Sequence, residues 1–179
     1  MKRTLLASAG LAIVVAACGG GSMSETEYVE NLNALVVNAA ARFEAAGAAF
    51  GQIADPTMEE YVAFVEQQLA IEYDVRDTFD TLDPPDSIDD VNQVMVDTLG
   101  QIIAVAEGLV DASDSVDSLA ELESTPEFVE YQTVNADADS MCFDVQAKIN
   151  DLSTTEVIDN PWIADLRMTV QAFLDCEEA

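Results

Sequence analysis

Apolar residues recur every three or four positions through each long segment of this chain, and this spacing limits its fold more than any other feature. In the first segment they are Tyr28, Leu32, Leu35, Val36, Ala39, Phe43, Ala46 and Phe50. The pattern repeats over 58–82, 88–109, 128–152 and 163–173. Such spacing places the apolar side chains on one face of an α-helix. No stretch shows the alternation of a strand bounded by hairpin turns. The sequence therefore predicts an all-α fold.

Prolines separate these helical segments. Pro56, Pro126 and Pro161 each stand at the expected start of a helix, where the missing N–H of proline removes no hydrogen bond. Pro84 and Pro85 end the second segment, because neither can continue the hydrogen-bond ladder. Proline thus divides the chain into helices of about 25 residues and a shorter last one.

Polar residues mark further helix ends and one loop. Ser24–Glu27 and Ser87–Asp90 have the spacing of capping boxes before the first and third helices. Residues 111–124 are rich in Ser and Asp, which predicts a loop with one short helix around Val116–Leu122. Long helices joined by short turns pack antiparallel around one apolar seam. We expect residues 27–179 to form one domain, an up-and-down bundle of four long helices plus a shorter C-terminal helix.

The N-terminal 17 residues have the features of a secretory signal peptide. Lys2 and Arg3 precede an uncharged, mostly apolar stretch from Leu5 to Val15, and Ala16 and Ala17 follow. A positive end, a short apolar core and small residues at the exit define such a signal. The apolar core is too short for a membrane span, which needs about 20 residues. The competing interpretation is a buried N-terminal element, but Gly19–Gly21 follows where the fold would have to continue.

Val15-Ala16-Ala17-Cys18 resembles the lipobox of bacterial lipoproteins. The resemblance implies that Cys18 carries a diacylglycerol, that it becomes the new N-terminus, and that the protein is anchored in the cell membrane or envelope outside the cytoplasm. Two acyl chains anchor a protein stably. Residues 18–26 would then be a lipidated Cys and a flexible, Gly-rich tether. The alternative is a soluble secreted protein cleaved near Ala17.

Acidic residues dominate the charge of the chain. It contains 35 Asp and Glu against 6 Lys and Arg, a formal charge of −29, and loss of the leader would remove two of the cations. Binding to nucleic acid requires clustered Lys and Arg, so the charge excludes it. The charge also disfavours docking on anionic lipid head groups. Adaptation to saline surroundings, solubility of an exposed envelope protein, and storage or sensing of cations all remain possible explanations.

Two cysteines remain besides Cys18. Cys142 and Cys176 fall in the last two predicted helices and are expected to pair as a disulfide, in agreement with export. Such a loop would stabilise the fold by about 4 kcal/mol in the chain-entropy model. The alternative is a pair of free buried thiols.

No set of residues in the sequence demands a particular chemistry. Histidine is absent, which removes the usual general base and the commonest ligand of zinc and haem. A carboxylate pair could still act in acid–base catalysis, but among 35 acids some pair lies at a suitable separation by chance. We therefore expect no enzymatic activity, no catalytic residues, no metal site and no cofactor.

Aspartates around the turn between the second and third predicted helices are candidate ligands of a cation. Asp74, Asp77, Asp80, Asp83, Asp86 and Asp89 recur at every third position. Asp80, Asp83 and Asp86 could converge on Ca²⁺ or Mg²⁺ at the bend, or they could be solvated and capping acids. Among the cations, Arg76 has Glu72 and Asp80 four residues away, which predicts ordinary surface pairs.

Two further arginines, Arg42 and Arg167, have no acid at helical spacing. They are expected to pair across helices, the alternatives being an anionic ligand or solvent.

The overall pattern is similar to uncharacterised helical lipoproteins of high-GC Gram-positive bacteria. The similarity consists of Leu82-Asp83-Pro84-Pro85 between helices and the two late cysteines, over about half the chain, and it implies no activity. We therefore predict a non-enzymatic envelope lipoprotein that presents an interaction or scaffold domain to an envelope protein or the cell wall. The alternative is a lipoprotein that binds a small ligand or a divalent cation.

Overall fold

The protein is all-α over the part of the chain that the structure describes. That structure is a computed structural model, and it describes residues 22–136, 147–149 and 161–174. The helices in these ranges are α1 (Glu25–Phe50), α2 (Met58–Phe79), α3 (Asp89–Ser113), α4 (Leu119–Leu122), α5 (Pro126–Ala136) and α6 (Pro161–Leu174). No strand occurs among them. The predicted fold class is confirmed.

The helices pack side by side as a bundle. α1 contacts α2 and α6, and α3 contacts α2 and α5. Their apolar faces form one core, whose largest fully buried side chains are Tyr28, Phe79, Leu32, Ile88, Met95, Leu109, Leu122, Ile149 and Leu166. Tyr28 is buried on α1, and its hydroxyl donates to Asn92 Oδ1 on α3 at 2.6 Å. The phenol therefore keeps a partner inside the core, as a buried polar group requires.

Caps fix where the first two helices begin. Ser24 Oγ accepts the N–H of Glu27 at the start of α1, where a capping box was predicted. α2 does not begin at Pro56, as the sequence suggested. It begins at Met58, because Thr57 and Glu60 form a complete capping box one residue beyond the proline.

The predicted capping box at Ser87 is wrong. The residue before α3 is Ile88, and no side chain caps the helix there. Ser87 instead donates its hydroxyl to Glu25 Oε1, at 3.1 Å, and so joins the start of α3 to the start of α1. The Met23 N–H also donates to the Asp83 carbonyl oxygen at 3.0 Å, so the backbone joins the bundle two residues before α1 begins.

α3 is the most apolar long helix in the described ranges. By length and composition it could cross a membrane, a test that core helices also pass. One face of α3 carries buried Val91, Met95, Leu99, Ile103, Ala106 and Leu109, all of which belong to the bundle core. The core position of this face accounts for its apolar composition.

Candidate functional site

A buried carboxyl group, that of Glu72, lies in the middle of the core face of α2. Glu72 is 8% exposed, and its Oε2 atom has no hydrogen-bond partner. Removal from water disfavours the charged form, so burial raises the pKa of Glu72 to about 7. A carboxyl group with this pKa exchanges its proton close to neutral pH.

Gln68 stands one turn before Glu72 on α2, and Tyr131 on α5 is influenced electrostatically by Glu72; we call these three residues the Glu72 cluster. The Tyr131 hydroxyl, on α5, donates to Gln68 Oε1 at 3.2 Å. Burial raises the pKa of Tyr131 to about 12, and the neighbouring charges of Tyr61 and Glu72 add to the effect. The ring centroid of Tyr61 lies 6.2 Å from that of Phe128 on α5. The cluster is thus a small polar patch in an apolar interface.

The chemistry open to the Glu72 cluster is limited. Glycoside hydrolysis needs two facing carboxyl groups, and Glu72 is the one carboxyl group that is buried in the described residues. Phenols with raised pKa values are poor bases at neutral pH. The cluster can hold or release one proton, and the described residues place no second catalytic group beside it.

Sequence reasoning missed this position. Glu72 was assigned to a surface pair with Arg76, and that prediction is wrong. Arg76 instead contacts Asp77 Oδ1 at 3.3 Å and lies over the ring of Tyr73. The register of α2 would have identified Glu72, because it stands between buried Leu69 and Val75 on the same stripe.

A groove of about 250 Å³ runs between the first and last described helices, and we call it the α1–α6 groove. It is lined by Thr26, Val29, Glu30, Asn33, Trp162, Asp165, Met168 and Thr169. The Thr169 hydroxyl, which is buried, donates to the Asp165 carbonyl oxygen at 2.9 Å and lies 3.5 Å from Asn33 Oδ1. This contact ties α6 to α1 beside the groove.

A second groove, the α2–α3 groove, is larger and has a volume of about 500 Å³. It is lined by Glu66, Leu69, Ala70, Tyr73, Glu107, Val110 and Asp111. The Tyr73 hydroxyl donates to Glu107 Oε1, and the guanidinium of Arg76 lies 4.9 Å from the centroid of the Tyr73 ring. A cation of the chain itself therefore covers the aromatic residue of this groove.

The aspartates of the second turn are spread over different partners. Asp74 pairs with Arg42 and Asp77 with Arg76, while Asp80 caps the end of α2. In the described part of the chain, no group of three or more His, Cys, Asp or Glu residues is arranged to hold a metal ion. Asp80, Asp83 and Asp86 all lie in that part, so the suggested convergence on Ca²⁺ or Mg²⁺ does not occur.

The two arginines for which an anionic ligand was an alternative, Arg42 and Arg167, both interact with other groups. Arg42 Nη2 on α1 lies 2.7 Å from Asp74 Oδ2 on α2, which confirms the predicted cross-helix pair. Arg167 lies half-buried on α6 and also has an interaction partner. Neither arginine lines the two grooves described above.

The remaining predicted site residues lie outside the described ranges. These are Cys18, where the lipid is expected, and Cys142 and Cys176, the expected disulfide. The signal peptide over 1–17 also lies outside them. Comparison of the chain with protein-family models, with characterised proteins and with solved structures found no match.

Proposed function

We propose that this chain is an extracytoplasmic lipoprotein, anchored in the cell membrane or envelope by a lipid on Cys18, and that its helical bundle is an interaction or scaffold domain without enzymatic activity. The observation that carries the proposal is Val15-Ala16-Ala17-Cys18 at the end of a positively charged, apolar leader. In this proposal residues 1–17 are removed, residues 18–26 form the anchor and tether, and residues 27–179 form the domain.

The attachment of Met23 supports a bundle held close to the bilayer. Four residues lie between Cys18 and Met23, whose N–H bonds to the Asp83 carbonyl. The five Cα–Cα steps from Cys18 to Met23 span at most about 18 Å when fully extended. The acidic surface repels anionic head groups, so a domain on so short a tether faces outward and is available to other envelope components.

The core supports a role that does not involve catalysis. Histidine is absent from the sequence, and Glu72 has no second buried carboxyl group near it in the described residues. Neither a nucleophile–base pair nor a pair of catalytic carboxylates is assembled there. The role that we propose for the domain is a helical surface presented on an anchor.

We also infer the finer architecture of four long helices and a shorter C-terminal one. The lengths of α1, α2 and α3, between 22 and 26 residues, support it, as does the 14-residue α6. α5 begins at Pro126, where the fourth long helix was expected to begin.

A disulfide between Cys142 and Cys176 would join the fourth and last helices. Intact-mass measurement after alkylation, with and without reduction, tests this pairing.

Metabolic labelling with palmitate tests the anchor. We expect the wild type to incorporate label and to sediment with membranes, and Cys18→Ala to lose both properties. Cys142→Ala is the matched control, because it removes a thiol that is not at the leader, and it should retain the label. Unlabelled precursor in the cytosol of wild-type cells would contradict the proposal.

Crosslinking in intact cells tests the interaction role. A photoreactive residue at Val129 or Val37, which are large exposed apolar residues on α5 and α1, should yield a reproducible crosslinked protein or cell-wall fragment. The same residue at buried Val65 on α2 should yield none. Absence of any product at several exposed positions would count against an interaction domain.

The alternative function, a small-ligand binding lipoprotein, is favoured by one observation. The α1–α6 groove is a defined cavity with both polar and apolar lining. Its divalent-cation version has less support, since no metal-holding group of side chains occurs in the described residues.

A further inference from the structure

We propose that the Glu72 carboxyl is a pH-sensitive switch that controls whether α5 packs on α2. While the carboxyl is protonated, α5 stays in contact with α2. When the proton is lost, α5 separates from α2 far enough for water to reach the carboxylate, and α1, α2 and α3 stay folded. This inference goes beyond the proposed anchoring and does not depend on it, because every part of the switch belongs to the bundle.

Burial makes the charged form of Glu72 unstable in the closed bundle. The residue is 8% exposed, and its Oε2 atom has no hydrogen-bond partner. A buried carboxylate without a partner costs far more free energy than a buried carboxylic acid. Burial accordingly raises the pKa of Glu72 to about 7. Loss of the proton therefore favours any movement that lets water reach this group.

The cations next to Glu72 are paired with other acids. Arg42 of α1 lies 2.7 Å from Asp74 Oδ2, and Arg76 of α2 lies 3.3 Å from Asp77 Oδ1. All four of these side chains are at least 38% exposed, so both pairs lie at the surface. None of the ion pairs in the described residues includes Glu72. Its negative charge is therefore not compensated there.

The other titratable groups on the neighbouring helices do not act as the switch. Glu107 of α3 is exposed and accepts a hydrogen bond from Tyr73. Glu123, at the end of α4, influences a tyrosine in the first turn of α2. The charge of Glu72 contributes to raising the pKa of Tyr73 on α2 and of Tyr131 on α5. Both phenols are therefore neutral near pH 7, where Glu72 exchanges its proton.

Among the helices around Glu72, α5 can separate at the lowest cost. None of its described side chains, from Pro126 to Asn135, is buried. In contrast, α1, α2 and α3 each contribute six to eight buried residues. Segments with few buried apolar contacts open at the lowest free energy. Leu122 is fully buried just before α5, so residues 123–125 are the pivot about which α5 moves.

Two side-chain contacts join α5 to α2, and both can break without unfolding the core. The Tyr131 hydroxyl donates to Gln68 Oε1 at 3.2 Å, one turn before Glu72. The rings of Tyr61 and Phe128 have centroids 6.2 Å apart. Water can replace the first contact at little cost, because the net contribution of such a hydrogen bond is small. Separation of Tyr131 from Gln68 admits water to the Glu72 cluster.

Hydrogen exchange of the purified full-length protein in a non-ionic detergent tests the switch. Mass spectrometry would follow the amides of α5 between pH 5 and pH 8, with rates corrected by those of an unstructured peptide. The open state loses its proton near the ordinary pKa of 4.5 and the closed state near 7. The equilibrium constant for opening of α5 should therefore rise about 70-fold between pH 5 and pH 8.

Matched variants test whether Glu72 causes this dependence. In Glu72→Gln, opening of α5 should change less than about twofold between pH 5 and pH 8, because glutamine does not titrate. Glu66→Gln removes an exposed acid from the same helix and should keep the 70-fold rise of the wild type. Tyr131→Phe removes the donor to Gln68 and should increase opening about fivefold at both pH values. A Glu72→Gln variant that kept the pH dependence would overturn the proposal.

Urea distinguishes opening of α5 from unfolding of the whole bundle, and this measurement needs no variant. Local opening exposes little surface, so exchange of the α5 amides should depend weakly on urea. Exchange of the α1 and α3 amides should be slower and should depend steeply on urea, because it requires global unfolding. Equal protection and equal urea dependence in α1, α3 and α5 would show that Glu72 affects global stability alone, and would overturn the proposal.

Discussion

At the scale of single residues, burial of Glu72 is expected to make the stability of the protein depend on pH below and around neutrality. Its pKa is raised to about 7 in the folded chain from an ordinary value of 4.5. Between these two values the folded state retains a proton that the unfolded state has lost, so stability falls as the pH rises through this window. The shift corresponds to roughly 3 kcal/mol between pH 4 and pH 8.

We therefore expect Glu72→Gln to unfold at higher urea concentration than the wild type at pH 8, and to differ little from it at pH 4.5. Glutamine resembles the protonated carboxyl in shape and carries no charge. Urea titrations followed by circular dichroism at both pH values measure the difference. Glu66→Gln is the control, because Glu66 is exposed on the same helix and its substitution should not alter the pH dependence. A Glu72→Gln variant with the pH profile of the wild type would contradict this account.

The hydrogen bond between Tyr28 and Asn92 allows a second test at this scale. Tyr28→Phe leaves the ring in place but removes the donor to Asn92 Oδ1, and we expect a loss of about 1 kcal/mol. Asn92→Ala should cost a similar amount. The double variant should cost less than the two single variants together, since both remove one interaction. Strict additivity in chemical denaturation would show that the bond contributes nothing.

At the scale of helices, the N-terminal caps of α2 and α3 differ from those that the sequence predicts. Thr57→Ala removes the capping box of α2, and we expect a loss of about 1 kcal/mol. Ser87→Ala should cost clearly less, because Ser87 caps no helix and makes one half-buried bond to Glu25. If Ser87 capped α3 and α2 began at Pro56, as the sequence predicts, the two losses would have the opposite order. Thermal denaturation of the two variants shows which order holds.

The helices themselves could be predicted because their periodicity is a local property. The core residues of α1 from Tyr28 to Ala46 lie on the face that their spacing indicated. Helix starts were harder to place, since Ser, Thr and Asp are common near them and their side chains can also bond across helices, as Ser87 does. The short helix in the polar loop was found at Leu119–Leu122.

The candidate sites depended on packing, which a single sequence does not encode locally. The α1–α6 groove exists because the last described helix packs on the first, more than 100 residues away along the chain. Nothing in the spacing of Glu30 or Asp165 indicates that they share a cavity. Glu72 differs from Glu30 and Asp165, because its position on the apolar face of α2 follows from the helical spacing. It was taken for a surface residue because most acids of the chain are on the surface.

At the scale of the whole molecule, the charge of −29 determines how the fold depends on salt. The ion pairs in the described residues join Arg42 to Asp74, Arg76 to Asp77 and Lys148 to Asp90, and all three have exposed members. Exposed pairs contribute little to stability. Most carboxylates therefore repel one another in the folded state, and this repulsion weakens as ions screen it over shorter distances.

We expect the midpoint of thermal unfolding to rise steadily as NaCl increases from 10 mM to 1 M. KCl and choline chloride at equal ionic strength should raise it by nearly the same amount, because screening depends on ionic strength and not on the identity of the cation. Sucrose at equal osmolality is the control for effects unrelated to charge. If micromolar Ca²⁺ alone produced the full rise, a specific cation site would be responsible for it. A uniform response to the three salts would show that the acidity acts through bulk electrostatics and not through a specific cation site.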